Sequence, residues 1–181
     1  MAVNGDAQNS AFLEQCLTGI AQNDSESLAA LYHGTSNAVY GYAFSILKNA
    51  HDAQDILHDC YLRIHAAAAS YHPDGKPMAW ILTITRNLCY MRLRQGRKTT
   101  YLSDDEWNAL PGEHLTSDDR LVLGSCLQQL SDEERQIVML HAVAGLRHRE
   151  IARHLDLSLS TVLSKYHRAI KKIRNAMQAG E

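Results

Sequence analysis

DLSLSTVLSKYHRAIKKIRNAM, residues Asp156 to Met177, is the most informative segment of this 181-residue chain. It opens with a tight turn that ends at Ser158, a residue suited to cap the helix that follows. In that helix apolar residues recur every three or four positions, which is the spacing of one buried helical face. These residues are Val162, Tyr166, Ala169 or Ile170, Ile173 and Met177. The stretch therefore predicts a long amphipathic helix.

The turn joins this helix to a shorter one, predicted over His148–Leu155. Two such helices, the second long and basic on its exposed side, form a helix-turn-helix. A DNA major groove admits one helix, and short polar side chains near the start of that helix let its backbone approach the base edges. The residues that we predict to contact duplex DNA are Arg149, Ser160, Thr161, Ser164, Lys165 and Arg168.

The chain before this motif also has a helical pattern. Ser131-Asp-Glu-Glu134 matches a capping box, in which a serine and a glutamate three residues later satisfy N–H groups at the start of a helix. Gly145 suits the C-terminal stop of that helix, and Leu121–Leu130 is amphipathic. The side predicted to face inward carries Ile137, Val138, Leu140 and Val143.

Residues 1–98 have the pattern of four further helices. The first is predicted over Ser10–Ala21. The second begins after Asp24 or Ser25, either of which can cap it, and Gly34 is expected to break or kink it.

The third and fourth helices carry apolar stripes. Asp52 is predicted to open the third helix, and Pro77 suits the first turn of the fourth, which ends near Gly96. The predicted buried stripe of the fourth helix consists of Trp80, Ile81, Ile84, Leu88 and Met91.

Residues 99–119 show no sustained period and carry six acidic residues and no basic one. We predict that they form a flexible acidic linker. The fold class that follows is all-α, with two small helical domains, residues 1–98 and 120–181, joined by this linker.

The charge pattern indicates a polyanionic partner. The formal net charge is only −2, but residues 86–98 hold five basic residues and no acidic one, and so do residues 161–177. The local field, more than the net charge, steers binding of a polyanion such as DNA.

Both halves resemble a known family. LSDEERQIV, from Leu130, followed by GL, EIA and STVLSKYHRA, resembles the −35-binding domain of bacterial sigma factors. HDAQDILHDCYLR, from His51, and AWILTITRNL, from Ala79, resemble region 2 of the same family. Their order and the acidic linker resemble extracytoplasmic-function sigma factors over about residues 10–177.

The resemblance implies a protein that binds core RNA polymerase, directs it to promoters by recognising −10 and −35 elements, and assists DNA opening. In the third helix it implies a polymerase-binding set, namely Asp52, Asp55, Ile56, Asp59 and Arg63. In the fourth helix it implies a set that binds the −10 strand, namely Trp80, Arg86, Asn87, Tyr90 and Arg94. Basic groups can hold the strand's backbone, and aromatic rings can hold an unstacked base.

The same resemblance implies further roles and partners. The loop Ser70–Lys76 would form the wall of a pocket for a flipped −10 base, and the linker would lie in the polymerase active-site cleft or RNA exit path. An anti-sigma protein is a further candidate partner. We expect no cofactor, no metal and no membrane insertion, and a cytoplasmic location. The chain departs from the family's usual pattern at Gln54, Leu163 and Ile170.

Two other classes of function explain less of the sequence. A stand-alone helix-turn-helix regulator that does not bind polymerase accounts for the C-terminal helices but gives residues 52–63 and 80–94 no role. No Gly-rich phosphate loop or catalytic motif favours an enzyme.

The histidines and cysteines do not form a predicted metal site. His51, His58 and His65 recur every seven residues, which places them about 10 Å apart along a helix and too far apart to share one ion. The same argument is applied to His141 and His148. None of the four cysteines forms a CxxC pair.

Overall fold

The computed structural model describes the backbone of residues 3–95 and 127–179, and the side chains of residues 8–95 and 127–178. These parts contain seven α-helices and no strand, which confirms the all-α prediction. The predicted linker and most of the helix predicted over Leu121–Leu130 lie outside the described residues. The helices are α1 Val3–Ala21, α2 Ser25–Leu47, α3 Ala50–Ala67, α4 Pro77–Gln95, α5 Asp132–Ala142, α6 His148–Leu155 and α7 Leu159–Ala179, with a 3₁₀ turn at Ala68–Ser70.

Helix α2 is the central element of the N-terminal half, because α1, α3 and α4 all pack against it. Tyr42 and Phe44 of this helix are among the largest fully buried side chains. The buried Thr35 hydroxyl is 2.6 Å from the Tyr61 hydroxyl and hydrogen-bonded to it. Because a buried hydroxyl without a partner is costly, this bond helps to fix α3 against α2.

Side-chain caps decide where α2 and α3 begin. Asp24 accepts hydrogen bonds from two backbone N–H groups in the first turn of α2, so Asp24 is the cap of that helix. Asn49 Oδ1 accepts from the N–H of Asp52 at 2.7 Å, and α3 therefore begins at Ala50 instead of Asp52. The predicted break at Gly34 was wrong, because α2 runs through it; one glycine costs only about 1 kcal/mol in a helix.

The buried face of α4 differs from the predicted stripe. Of the predicted residues Ile81 is fully buried, whereas Trp80 is half-buried and Met91 is 44% exposed. Apolar residues occur around much of this helix, so the helical period of its apolar residues does not identify one buried face. Packing against α2 and α3 decides which face is buried. The buried side chains of the helix body are Ile81, Leu82, Thr85 and Cys89.

The C-terminal half contains the predicted helix-turn-helix, α6 and α7. The capping box is confirmed, since Ser131 Oγ accepts from the N–H of Glu134 and Glu134 Oε2 accepts from the N–H of Ser131. Ser158 Oγ accepts from the N–H of Thr161 at 3.1 Å and caps α7 as predicted. Gly145 has a φ of +71°, the left-handed backbone that glycine adopts most easily.

Two predicted inward residues of this half lie outside the core. Val162 and Ala169 of α7 are fully buried, but Met177 is 56% exposed and Val143 is 45% exposed. A helical period shows which residues share a face. It does not show how far along that face the packing extends.

The two halves contact each other through α2 and α5. Gly41 lies at this contact, where a Cβ atom would be only 2.6 Å from Cε of Met139. The Lys48 ammonium at the end of α2 lies 2.6 Å from Oδ1 of Asp132 at the start of α5. A glycine therefore permits the close approach of the helices, and an ion pair supports one edge of it.

Replacing Gly19 by alanine is expected to destabilise the N-terminal half by about 1–3 kcal/mol, as overpacking does. An alanine Cβ would overlap Oγ of Ser27 and lie 2.8 Å from its Cβ, next to the α2 cap. Urea unfolding measures the change. The matched control is Gly34→Ala, whose Cβ would lie 3.8 Å from Cε1 of Phe12, an ordinary van der Waals distance. Equal stability of the two variants would contradict the prediction.

The buried thiols are expected to be unreactive in the native protein. Burial raises the pKa of Cys60 to about 11 and the pKa of Cys89 to about 12. Because the thiolate is the reactive form, alkylation should be at least about 100-fold slower than in denaturant. Mass spectrometry of a Cys126→Ser variant measures the alkylation rate of the buried cysteines without interference from Cys126. Rapid alkylation in native buffer would contradict this prediction.

Candidate nucleic-acid and protein interfaces

Two of the predicted polymerase-binding carboxylates are paired inside the domain. Arg92 of α4 donates from Nε to Asp52 Oδ1 at 2.9 Å and from Nη2 to Asp55 Oδ2 at 3.1 Å. These hydrogen bonds with Asp52 and Asp55 raise the pKa of Arg92 above its ordinary value. Arg92 thus joins α4 to α3, a role that its place in a basic run did not reveal.

The other three residues of that set divide into one buried and two exposed side chains. Ile56 is only 3% exposed and packs in the core, so it supports α3 from within and offers no surface to a partner. Asp59 and Arg63 are exposed and lie one helical turn apart. The structure therefore brings Asp59 and Arg63 together on the outer face of α3.

Trp80 lies at the edge of the core. Its ring centre is 5.1 Å from that of Tyr71. It lines a shallow groove of about 360 Å³ together with Arg63, Ser70 and Asn87. The groove combines an aromatic ring, a cation and an amide, groups that can stack on a base and bind its edges and backbone.

The remaining residues of the predicted −10 set continue this surface along α4. Asn87, Tyr90 and Arg94 line one depression, with Leu93. The guanidinium carbon of Arg86 lies 5.3 Å from the Tyr90 ring centre, a cation–π distance. Among the described residues, Arg86 Nε is buried and has no hydrogen-bond partner.

Helix α1 holds the loop between Ser70 and Lys76, a contact that no sequence pattern indicated. Glu14 Oε1 accepts from the N–H of Gly75 at 2.8 Å and from the Tyr71 hydroxyl at 3.2 Å. Ser10 Oγ donates to the Gly75 carbonyl at 2.9 Å. These three bonds fix the loop beside the start of α4.

At the start of α7, three hydroxyl groups form a cluster. Ser158 Oγ lies 2.9 Å from Ser160 Oγ and 2.7 Å from Thr161 Oγ1. Ser160, Ser164 and Arg149 are exposed, whereas Thr161 is half-buried. The structure therefore places Ser160, Thr161 and Ser164 in the first two turns of α7, with Lys165 and Arg168 further along that helix. Helix α6, which carries Arg149, packs against α7.

The cations of this face are partly engaged by carboxylates at the start of α5. Lys165 Nζ is 2.6 Å from Glu133 Oε2, and Lys172 Nζ is 2.7 Å from Glu134 Oε2. Arg168 Nε lies 3.9 Å from Glu134 Oε1 and its side chain is 60% exposed. Sequence reasoning missed this pairing, although the run of acids in the capping box was visible.

Glu134 is only 2% exposed. Burial raises its pKa, but the hydrogen bonds from Lys172 and from the backbone of Ser131 lower it more, so the pKa of Glu134 lies below its ordinary value. The carboxylate is therefore charged near neutral pH and joins the start of α5 to α7.

His154, at the end of α6, connects the two halves. Its Nε2 is hydrogen-bonded to the Tyr42 hydroxyl at 2.9 Å, and its backbone carbonyl accepts from Arg86 Nη1 at 3.0 Å. Burial, and then the charge of Arg86, lower the pKa of His154 to about 4. A residue of the predicted −10 surface is thus held by the helix-turn-helix half.

Acidification is expected to weaken the contact between the halves before the protein unfolds. His154 has an ordinary pKa of 6.5 when exposed and about 4 in the contact. The contact is therefore fully stable above about pH 6.5 and loses stability as the pH falls toward 4. Energy transfer between dyes on α3 and α7, followed from about pH 7.5 to about pH 5, measures the separation. His154→Gln should remove the pH dependence, and an unchanged profile in that variant would contradict the assignment.

The prediction that His141 and His148 lie far apart was wrong. The chain turns back after α5, so their ring centres are 4.3 Å apart, and both rings meet Tyr166 edge to face. His141 Nδ1 is hydrogen-bonded to the Leu146 carbonyl. Burial lowers the pKa of His148, so the pair is a packed aromatic cluster of the turn.

In the described residues, one group of three possible metal ligands lies close together, His51, Asp52 and Asp55. Arg92 already occupies both carboxylates, so the cluster is explained by an ion-pair network. None of the described helices is long and apolar enough to cross a membrane.

Two family models match the chain, one in each half. Sigma-70 region 2 matches residues 31–99, and Sigma-70, region 4, matches residues 120–173. The chain is 27% identical to the ECF RNA polymerase sigma factor SigK of Mycobacterium sp. strain KMS, over 91% of this chain and 90% of that protein. It is 26% identical to the protein of the same name from Mycobacterium bovis, over 97% and 98%.

Solved structures share the fold. The structure of CnrH in complex with the cytosolic domain of CnrY matches 94% of this chain and 99% of that chain, with a TM-score of 0.65 and 20% identity. The sigma factor RpoE, in complex with the anti-sigma factor NepR from Bartonella quintana, matches 83% and 96%, with a TM-score of 0.67 and 20% identity.

The sigma family is not known as a family of enzymes. The chain contains sigma-70 region 2 followed by region 4, and it matches ECF sigma factors over nearly their whole length. The chain therefore belongs to the sigma-70 family of RNA polymerase sigma factors, of the extracytoplasmic-function type, and serves promoter-specific transcription initiation.

Proposed function

We propose that the work of this sigma factor is divided between its halves, with residues 1–98 binding core polymerase and the −10 element and residues 120–181 binding the −35 duplex. Residues 99–119 act as the linker between them. The observation that carries this division is the presence of two separate surfaces, one on α3 and α4 and one on α6 and α7, each with the residue types its ligand needs.

The polymerase surface is the outer face of α3, with Asp59 and Arg63 as its exposed charges. Asp52 and Asp55 contribute by holding Arg92, and Ile56 contributes by packing in the core. An exposed charge pair on a rigid helix suits a polar protein interface, where electrostatic complementarity governs specificity and association rate.

The −10 surface is the face of α4 that runs from Trp80 through Asn87 and Tyr90 to Arg94, with Arg86 beside Tyr90. Stacking on an aromatic side chain contributes about 1–3 kcal/mol per base. That gain is comparable to the few kcal/mol needed to unstack a base. DNA opening by binding energy alone is therefore reasonable, and we propose that the protein is not an enzyme.

The −35 surface comprises the exposed or partly exposed residues around the start of α7, together with Arg149 of α6. Short hydroxyls near a helix start allow close approach to base edges, and Arg168 can reach a base or a phosphate. Leu163 is half-buried beside this face, where the family often has a basic residue; an apolar side chain there suits contact with a thymine methyl group.

The relatives support a proposal about regulation. Because RpoE is bound by the anti-sigma factor NepR, an anti-sigma protein is a candidate partner of this chain too. We propose that the chain acts in the cytoplasm, where core RNA polymerase works.

The deciding experiment tests whether promoter binding depends on polymerase. The full chain is incubated with core RNA polymerase from its own organism and genomic DNA fragments, and bound fragments are sequenced and then transcribed in vitro. The proposal predicts core-dependent selection of fragments with two spaced elements and transcripts that start downstream of them. Selection of palindromic duplexes by the protein alone, without binding to core, would instead support the stand-alone regulator.

A further inference from the structure

The cations on the DNA-binding face of α7 are held by the protein to different degrees. Lys165 is 2.6 Å from Glu133, with 23% of the lysine side chain and 53% of the glutamate side chain exposed. Lys172 is bound to Glu134, which is 2% exposed. Glu133 is therefore the more accessible of the two carboxylates, whereas Lys172, at 38% exposed, is the more accessible of the two lysines. Lys165 follows Ser164 directly and lies one turn from Arg168.

The two carboxylates have different consequences. Glu134 also completes the capping box of α5, so its loss would disturb the helix start. Glu133 has an ion pair with Lys165 and, among the described residues, no other hydrogen-bond partner, and a partly exposed pair of this kind adds little to stability. Lys165 can thus leave Glu133 without unfolding the domain.

Release of Lys165 has a consequence for DNA binding. A free lysine that neutralises one phosphate adds to affinity for every sequence. A lysine that must leave a carboxylate exchanges one ion pair for another, and the remaining carboxylate repels the phosphate. Contact of Lys165 with a phosphate alone therefore adds little to DNA affinity. Contact with a base edge that is a better acceptor adds more.

We propose that Glu133 is a specificity-determining residue of the −35 surface, which suppresses sequence-independent binding by holding Lys165. The inference rests on the proposed role of this face in binding duplex DNA.

The test uses the full chain and a fluorescein-labelled duplex of random sequence, with binding followed by anisotropy between about 50 and about 200 mM NaCl. Glu133→Gln is expected to steepen the salt slope by about 0.9, which corresponds to about a threefold gain in affinity at the low salt relative to the high salt. Glu133→Gln in a Lys165→Gln background should give no gain over Lys165→Gln. Thermal unfolding confirms that each variant is folded.

Two controls separate the possible failures. Glu26→Gln makes the same change in net charge at the exposed start of α2, in the other half of the chain. It should leave the salt slope of DNA binding unchanged. Arg168→Gln tests the face itself and should weaken binding. One outcome would overturn the role of Glu133 and leave the DNA-binding face intact. In that outcome Arg168→Gln weakens DNA binding, but Glu133→Gln either has the same salt slope as Glu26→Gln or binds DNA more weakly than the parent. A gain that persists without Lys165 also overturns that role. If Arg168→Gln and Glu133→Gln both leave binding unchanged, the proposed face is wrong and the inference falls with it.

Discussion

Replacing Asp59 by lysine is expected to weaken binding to core RNA polymerase by at least about 30-fold. Asp59 is exposed on the outer face of α3, one turn from Arg63. Removing a charge from a close interfacial pair costs about 2–5 kcal/mol, and reversing it costs no less. Arg63→Glu should have a similar effect. Affinity is measured by titrating labelled full-length protein with purified core enzyme.

The matched control for this prediction is Glu26→Lys, the same reversal at an exposed acid of α2. Asp52 and Asp55 are poorer targets, because their replacement also frees Arg92 and loosens α4 from α3. If Asp59→Lys binds core as tightly as Glu26→Lys does, the outer face of α3 is not the polymerase surface.

Replacing Gly41 by leucine is expected to separate the two halves of the chain. A single Cβ at this position would already lie 2.6 Å from Cε of Met139 and 3.9 Å from Cγ1 of Val143. The flexible methionine can move for one methyl group, but a leucine side chain has no room between the helices. Separation also breaks the contact of Arg86 with His154 and exposes Arg86 to DNA.

Small-angle scattering and the same pair of dyes on α3 and α7 measure this separation. We expect a larger radius of gyration and reduced energy transfer with unchanged helix content. Gly34→Leu is the matched control, since a Cβ at Gly34 on the same helix would lie 3.8 Å from Cε1 of Phe12 and meet no close neighbour among the described residues. Unchanged scattering of Gly41→Leu would show that the contact tolerates the larger side chain.

The helix caps and the amphipathic helices of this protein were predictable because residues close in the sequence produce them. The capping box from Ser131 to Glu134 and the cap of α7 at Ser158 depend on hydrogen bonds within four residues, and both are present. The apolar period identified α6 and α7, and the clustered lysines and arginines marked the basic face. Such short-range signals also carried the resemblance to sigma factors.

The roles of individual charges were not predictable, because a charge acts on whatever packs beside it. Arg92 belonged to a basic run in the sequence, yet it binds Asp52 and Asp55 on another helix. The spacing of His141 and His148 predicts a large separation, yet the turn after α5 brings their ring centres to 4.3 Å.

Periodicity and capping depend on residues close in the chain, so sequence alone predicted the all-α class, the caps at Ser131 and Ser158, the helix-turn-helix and the family, although it placed the start of α3 at Asp52 instead of Ala50. The tertiary structure alone decided which face of α4 is buried, which carboxylates hold Arg92 and Lys165, and how Tyr42, Arg86 and His154 meet. These contacts join residues between 32 and 112 positions apart, and their geometry depends on helix packing that no local pattern encodes.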